Sequence, residues 1–316
     1  MRPVEMLARR CCHSSPLARG IPSLQLQVPL YTRSRFIHLS QSTSITSRTL
    51  SLTRSHHAMT TEEDLPKVKL YWLNDSRAQN TLWLLEEFRI PYTVQTFRRA
   101  PNRLAPPELA EVHPLGKAPI LEITPFAGYI TQYVVDHFGH RNPSLVPPRW
   151  RPGQEGRVGG ETEAFSRFQY LLHYVEGSFF PVIVQYLLFN VLKSNNVPFL
   201  IRPLTSSVAN KIFSIVILPN AQKHLAMLEH FLKTAPGVAP GDAPFLCGPS
   251  LTAADILISF ALITADAEGA WDAMGHWPGG SARAAHPVLF DYVDRLRMMP
   301  GYLKVVDKVK EIEGTE

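Results

Sequence analysis

At 316 residues, with 45% of them hydrophobic and 19% charged, the chain is long enough for two domains and a sizeable core. Its net charge of +5 is unevenly placed: residues 1–60 hold eight arginines, no lysine and a single acid, Glu5, so this leader carries +7 and the remainder −2. A basic, nucleic-acid-binding body is thereby excluded. Three cysteines (Cys11, Cys12 and Cys247) without a Cys-x-x-Cys pair exclude a disulfide framework, and no metal site is expected.

The leader is rich in arginine, serine and threonine and almost free of acid, which is the composition of a mitochondrial presequence. Arg35-Phe36-Ile37-His38-Leu39-Ser40 resembles a matrix-processing site. The alternative is a start at Met59. The first start implies a mitochondrial protein and the second a cytoplasmic one. Residues 1–65 are expected to be a disordered extension and take no part in the fold reasoning.

The body opens with Lys67 to Leu73, whose alternation predicts a strand. Asn74-Asp75-Ser76 is a run of helix-capping residues, and from Arg77 the pattern turns helical, with Leu82, Leu85 and Phe88 on one side. Pro91 stops that helix, and Tyr92 to Phe97 reads as a second strand. A helix between two strands predicts a βαβ unit with parallel pairing. Prolines at 101, 106, 107 and 114 break the next stretch, which leaves one helical turn near Glu108 to Val112. Pro119 then opens a third strand or holds a cis bond in a tight turn, because it has no N–H for a ladder. In the cis form the main chain of Ala118 would face outward and could pair with an extended tripeptide. Tyr129 to Phe138 reads as a helix, and Pro143 to Gly160 has the composition of a linker.

Beyond Gly160 the signals are helical: a long helix from Glu161 to Leu192, bent or broken at Pro181, then Leu204 to Leu218 and Ala221 to Lys233 with a break at Pro219. Thr252-Ala253-Ala254-Asp255 is a capping box that opens a helix to Ala267, with Ile256, Phe260 and Ile263 as its apolar stripe. Pro287 to Met298 and Tyr302 to Lys310 close the chain. The apolar run Phe179 to Leu192 is interrupted by Pro181, Gln185 and Asn190, and is expected to be a buried helix rather than a transmembrane segment.

The order strand, Ser76-Arg77 helix, strand, His113-Pro114-Leu115-Gly116-Lys117-Ala118-Pro119, linker, and helices with Leu251-Thr252-Ala253-Ala254-Asp255-Ile256 resembles the glutathione S-transferase superfamily. Trp72-Leu73, Ser76-Arg77-Ala78, Leu82-Trp83-Leu84-Leu85 and Ala105-Pro106-Pro107-Glu108-Leu109 are similar to its fungal Gtt-type subgroup, as are Tyr174 to Ser178 and Asn210-Lys211-Ile212. The resemblance covers Val68 to Lys310. It implies an α/β thioredoxin-like domain (66–140) that binds glutathione as co-substrate, a linker (141–160) and an all-α domain (161–312) that helps shape the pocket for a small hydrophobic electrophile. It further implies a homodimer used in detoxification, and it allows peripheral attachment to a membrane.

The implied reaction is attack of the glutathione thiolate on the electrophile. A thiol of pKa ~8.5 is mostly protonated at neutral pH, so the site must favour its anion. Ser76, at the mouth of the first helix, is the candidate hydroxyl donor and Asn74 the runner-up; both also serve as ordinary caps. Arg77 is either a glutathione contact or a structural arginine paired with an acid. Lys117 could meet the glycyl carboxylate, and Ala118 with Pro119 would form the docking edge. His113 and His173 read as ordinary turn and core histidines. The position directly after the first strand offers Ser76 and no cysteine, which disfavours disulfide exchange.

One departure stands out. Only Thr124 to Ala127 separate the third strand from the next helical pattern, too few for a returning strand. In the family an acid–serine pair opens that helix and holds the γ-glutamyl group of glutathione. Phe126 and Ala127 occupy those positions and offer no side-chain hydrogen bond. Either a segment was lost from the gene model, or the chain is a non-catalytic transferase-fold binding protein with a damaged glutathione site.

Overall fold

The computed structural model describes residues 66–123 and 130–314; the leader, Phe126 and Ala127 lie outside the described residues. Strand β1 (Val68–Leu73) lies between β2 (Tyr92–Phe97), which runs parallel to it, and β3 (Ile120–Ile123), which runs antiparallel. Its register pairs Val68 with Tyr92 on one side and with Ile123 on the other. Helix α1 (Ala78–Glu87) makes the crossover between β1 and β2, as the βαβ pattern predicts. The short α2 (Leu109–Val112) precedes β3, and α3 (Ile130–Phe138) follows it. Among the described residues β3 has one neighbour only and forms an edge of the sheet.

Both faces of β1 are covered. Val68, Leu70 and Trp72 join the main core with α1, while Tyr71 and Leu73 pack with Leu109 and Ile120 on the other face. Helix α1 is more deeply enclosed than a one-sided stripe implies, since Asn80, Thr81, Trp83 and Leu84 are buried along with Leu82 and Leu85. Two features account for this. Asn80 donates to the Leu257 carbonyl at 2.6 Å and accepts from the Ser259 hydroxyl at 3.2 Å. Trp83 meets Tyr302 edge-on with centroids 5.4 Å apart.

The helical part departs from expectation at its prolines. The first long helix is continuous: α4 (Glu163–Tyr174), a π turn (Val175–Phe179) and α5 (Phe180–Asn190), closed by a 3-10 turn at Val191–Lys193. Likewise α6 (Arg202–Ile212), a second π turn (Phe213–Ile217) and α7 (Leu218–Lys233) form one rod. Pro219 therefore does not separate two helices. In each rod the last N–H before the proline reaches five residues back, Phe180 to Val175 and Leu218 to Phe213. The widened turn makes room for a residue that has no N–H and would crowd the carbonyl four residues earlier.

Helix α8 (Ala253–Ala267) is buried along most of its length, with Ile256 and Ile263 in the core and Phe260 half-buried. The short α9 (Ala270–Ala273) and α10 (Ala282–Ala285) lead to α11 (Pro287–Met298) and α12 (Pro300–Gly314), the last of these longer than its sequence pattern. Helices α8, α11 and α12 all contribute to the same core as α1 and β1.

The expected burial of the apolar run is corrected by the outer half of α5. Val182, Ile183 and Tyr186 are buried, yet Val184, Leu187, Leu188 and Val191 face solvent. The helix Glu163–Lys193 is long and apolar enough to cross a membrane by length and composition, and only 28% of its most apolar window is buried.

Candidate functional site

The loop from β1 to α1 builds the mouth of the candidate site. Asp75 adopts a positive φ of 51°, and the chain then enters the helix through Ser76 and Arg77. Ser76 is 7% exposed. Its hydroxyl donates to the Leu73 carbonyl at 2.6 Å and accepts from the Ala78 N–H at 3.2 Å. The capping role is thus realised, and the single hydroxyl proton is directed at Leu73.

Leu73 is also where the second part of the candidate site arrives. Ala118 packs against the small cluster formed by Tyr71, Leu73, Leu109 and Ile120. The Ala118–Pro119 bond is cis. Gly116 takes a φ of +54°, which a side chain would disfavour, and its N–H donates to the His113 carbonyl at 2.8 Å. Ser76, Ala118 and Pro119 therefore converge on the C-terminal end of β1. Lys117 next to them is exposed.

Two candidates lie elsewhere. Asn74 is turned toward β2, where its side-chain oxygen accepts from the Arg99 N–H at 2.7 Å and its amide donates to Asp75 at 3.2 Å. Because β2 and β3 flank opposite sides of β1, this amide is directed away from the Ala118 edge. Its small pocket is shared with Trp72, Phe97, Ile312 and Glu313. Arg77 takes the structural alternative: it ion-pairs with Glu176 in the first π turn, and its guanidinium lies 4.4 Å from the centroid of the Phe180 ring. Sequence reasoning named no partner for either side chain. Arg99, Glu176 and Phe180 carry no local signal, because each is defined by a contact with a distant segment.

Beneath the same π turn, the Tyr174 hydroxyl and His224 Nδ1 lie 2.6 Å apart. Burial pushes the Tyr174 phenol up and the His224 imidazole down, so both are neutral near pH 7. Of the two histidines read from sequence, His113 sits in a turn and accepts from the Leu115 N–H at 3.2 Å. His173 is exposed on α4 rather than part of the core.

The capping box at α8 is present, and it does more than cap. Fully buried Asp255 accepts hydrogen bonds from the Leu246 N–H at 3.0 Å, the Thr252 N–H at 2.8 Å, the Thr252 hydroxyl at 2.6 Å and the Tyr292 hydroxyl at 2.8 Å. Burial raises its carboxyl above the ordinary value, and these donors oppose that shift.

This architecture has known counterparts. A family model for the glutathione S-transferase N-terminal domain matches residues 76–136. Glutathione S-transferase 1 of Saccharomyces cerevisiae is 31% identical over 208 residues, which cover 63% of this chain and 80% of the yeast protein. Glutathione S-transferase 3 of Schizosaccharomyces pombe is 24% identical over 205 residues, covering 63% of this chain and 74% of that protein. Among solved structures, a glutathione S-transferase from Actinobacillus pleuropneumoniae superposes with a TM-score of 0.52 at 22% identity, over 76% of this chain and 92% of its own. A glutathione transferase from Phanerochaete chrysosporium, solved with oxidized glutathione, gives 0.54 at 16% identity, over 79% and 97%. These two likenesses establish the fold: a thioredoxin-like domain followed by a helical one. With the yeast relative matched over four-fifths of its length, the chain belongs to the glutathione S-transferase family.

Proposed function

We propose that this chain binds glutathione as co-substrate and transfers its thiolate to a small hydrophobic electrophile. The observation that carries this reading is the convergence of Ser76 and the Ala118–Pro119 edge on Leu73, in a chain related to named glutathione S-transferases. Residues 66–140 would hold the tripeptide and residues 161–312 would shape the electrophile pocket. The protein would act as a homodimer of the Gtt type, and the leader would direct it to mitochondria.

A thiolate brought to the N-terminus of α1 meets the positive end of the helix. It is also a charged acceptor, and hydrogen bonds to charged acceptors are roughly twice as strong as neutral ones. The Ser76 proton would therefore leave the Leu73 carbonyl for the sulfur. Lys117, exposed beside the edge, supplies positive charge for the glycyl carboxylate.

A second reading has its own support: β3 is a sheet edge among the described residues, and the Ser76 proton is already engaged. On this reading the chain is a non-catalytic binding protein of the transferase fold. Glutathione-affinity chromatography, with a chloronitrobenzene conjugation assay on the eluate, separates the two. Retention and turnover support the transferase. Flow-through of this chain, with retention of a version carrying an inserted returning strand and acid–serine pair after Ile123, supports the binding protein.

A further inference from the structure

The short loop between Leu73, where β1 ends, and Ala78, where α1 begins, lies outside both regular elements. Its carbonyls therefore need partners from elsewhere. Asp75 also holds a φ of 51°, an uncommon region for a residue with a side chain. One residue from beyond the end of β2 braces this loop. Half-buried Arg99 donates from Nε to the Asn74 carbonyl at 3.0 Å and from Nη2 to the Asp75 carbonyl at 3.2 Å. Its backbone N–H donates to the Asn74 side-chain oxygen at 2.7 Å. A guanidinium is planar and its donors point in fixed directions, so two carbonyls held by one fork are fixed relative to each other. Those two carbonyls belong to the peptide groups directly ahead of Ser76. They set the direction in which its hydroxyl leaves the chain.

The fork is itself held in place. Nη1 of Arg99 donates to the Arg103 carbonyl at 3.0 Å. Arg103 belongs to a tight turn in which the Ala100 N–H donates to the Leu104 carbonyl at 3.0 Å and the Arg103 N–H to the Ala100 carbonyl at 2.7 Å. Next to it, Arg98 donates to the Glu313 carbonyl of α12 at 2.8 Å. A charged donor makes stronger hydrogen bonds than a neutral one, and here all three side-chain nitrogens face main-chain carbonyls. Arg99 is thus a brace between two loops. It also stands on the β2 side of β1, whereas the Ala118–Pro119 edge precedes β3 on the opposite side. Any influence of Arg99 on a thiol bound at that edge runs through the loop that carries Ser76.

We propose that Arg99 is a positioning residue for thiol transfer, whose guanidinium fixes the Asn74 and Asp75 peptides and so aims the Ser76 hydroxyl at the glutathione sulfur. The proposal rests on the glutathione reading given above. The experiment is chloronitrobenzene conjugation by the full chain across pH, for wild type, R99Q, R99K, S76A and S76A/R99Q, with thermal unfolding measured in parallel. Asp75, Arg77, Glu176 and Lys117, the charged groups around the mouth, stay unchanged throughout. R99Q should lower kcat at neutral pH about tenfold and recover as pH rises, because the pKa of the bound thiol moves up by about one unit. KM for glutathione should stay within about twofold of wild type. R99K keeps the charge and loses the fork, so it should fall as far as R99Q, and it carries the same test where R99Q does not fold. S76A/R99Q should be no slower than S76A, since both changes act through one hydroxyl. Full activity of R99K overturns the proposal by assigning the effect to charge. A raised KM at constant kcat overturns it by making Arg99 a direct glutathione contact. A loss equal at every pH, or additive losses in the double variant, reduces Arg99 to a general structural role. Turnover by wild type with R99Q unchanged overturns this proposal alone, whereas no turnover by wild type overturns the glutathione reading and this proposal with it.

Discussion

Helices α1 and α8 both begin just after a serine or threonine, and the structure uses the two beginnings in different ways. At α8 the first turn holds Asp255, and its carboxylate absorbs the donors of the helix start, of Leu246 and of Tyr292. At α1 the first turn holds no acid, and Ser76 supplies only a hydroxyl that accepts one N–H. The positive end of α8 faces a carboxylate from within the chain, whereas α1 has no acid in its first turn to do the same. A capping motif therefore marks a helix start, while the charge it brings decides whether that start can serve chemistry.

Asp255→Ala gives the largest expected effect and the most direct way to break the contrast. It strands buried donors from Thr252, Leu246 and Tyr292, so unfolding in denaturant should show a loss of about 3–5 kcal/mol. A loss of about 1 kcal/mol, the worth of a simple cap, would remove the distinction.

Next comes Ser76→Ala, read as the pH dependence of conjugation. If α1 stabilises the thiolate with help from this hydroxyl, the pKa of bound glutathione should rise by about one unit, with kcat/KM at neutral pH down about tenfold. An unshifted profile assigns Ser76 to capping alone and leaves activation to the helix end.

The other end of α1 sharpens the comparison, because α1 is anchored there. Burial alone would raise the Glu86 carboxyl, but hydrogen bonds from Lys304, Lys308 and Tyr92 prevail and hold it at about 2, against an ordinary 4.5. Its folded value is depressed, so the stability it contributes is present above pH 4.5 and is lost as pH falls toward 2. Thermal unfolding of Glu86→Gln should lie below wild type near neutrality by about 1–2 kcal/mol, with the gap closing through that window. Parallel curves at all pH values would dismiss the anchor. The smallest effect is expected from a double-mutant cycle on Arg77 and Glu176, whose coupling should be below about 1 kcal/mol because the pair is partly exposed. A coupling of several kcal/mol would mean that this pair, and not the core, sets the position of the helical rods against α1.

The parts that were legible in the sequence depend on short-range chemistry. Alternation placed β1 and β2 within a residue, and Thr252 with Asp255 marked the start of α8, while α1 closes at Glu87, ahead of Pro91, through a left-handed Arg89. What escaped depends on distant partners. Nothing near Asn74 announces that its amide will serve Arg99, 25 residues later. The extension of α12 to Gly314 rests on Glu313 reaching Trp72 and Arg98. The exposure of Leu187 and Leu188 could not be read from an apolar run, because hydrophobicity records a preference for burial without naming what covers it. Prolines were read as breaks for a similar reason: the five-residue hydrogen bond that rescues each rod is a property of the whole turn.

Those π turns also act as phase shifters. Each inserts one residue into a helix, and one residue corresponds to about 100° of rotation about the axis. A stripe pattern that faces inward before Val175–Phe179 therefore resumes in a different direction after it, and the same holds across Phe213–Ile217. A single rod can in this way present one face to the core along its inner half and a second apolar face outward beyond it. Deleting one residue from either turn would leave helix content intact while re-aiming everything beyond it, so the direction in which the hairpin points its hydrophobic end is encoded by residue count as much as by residue type.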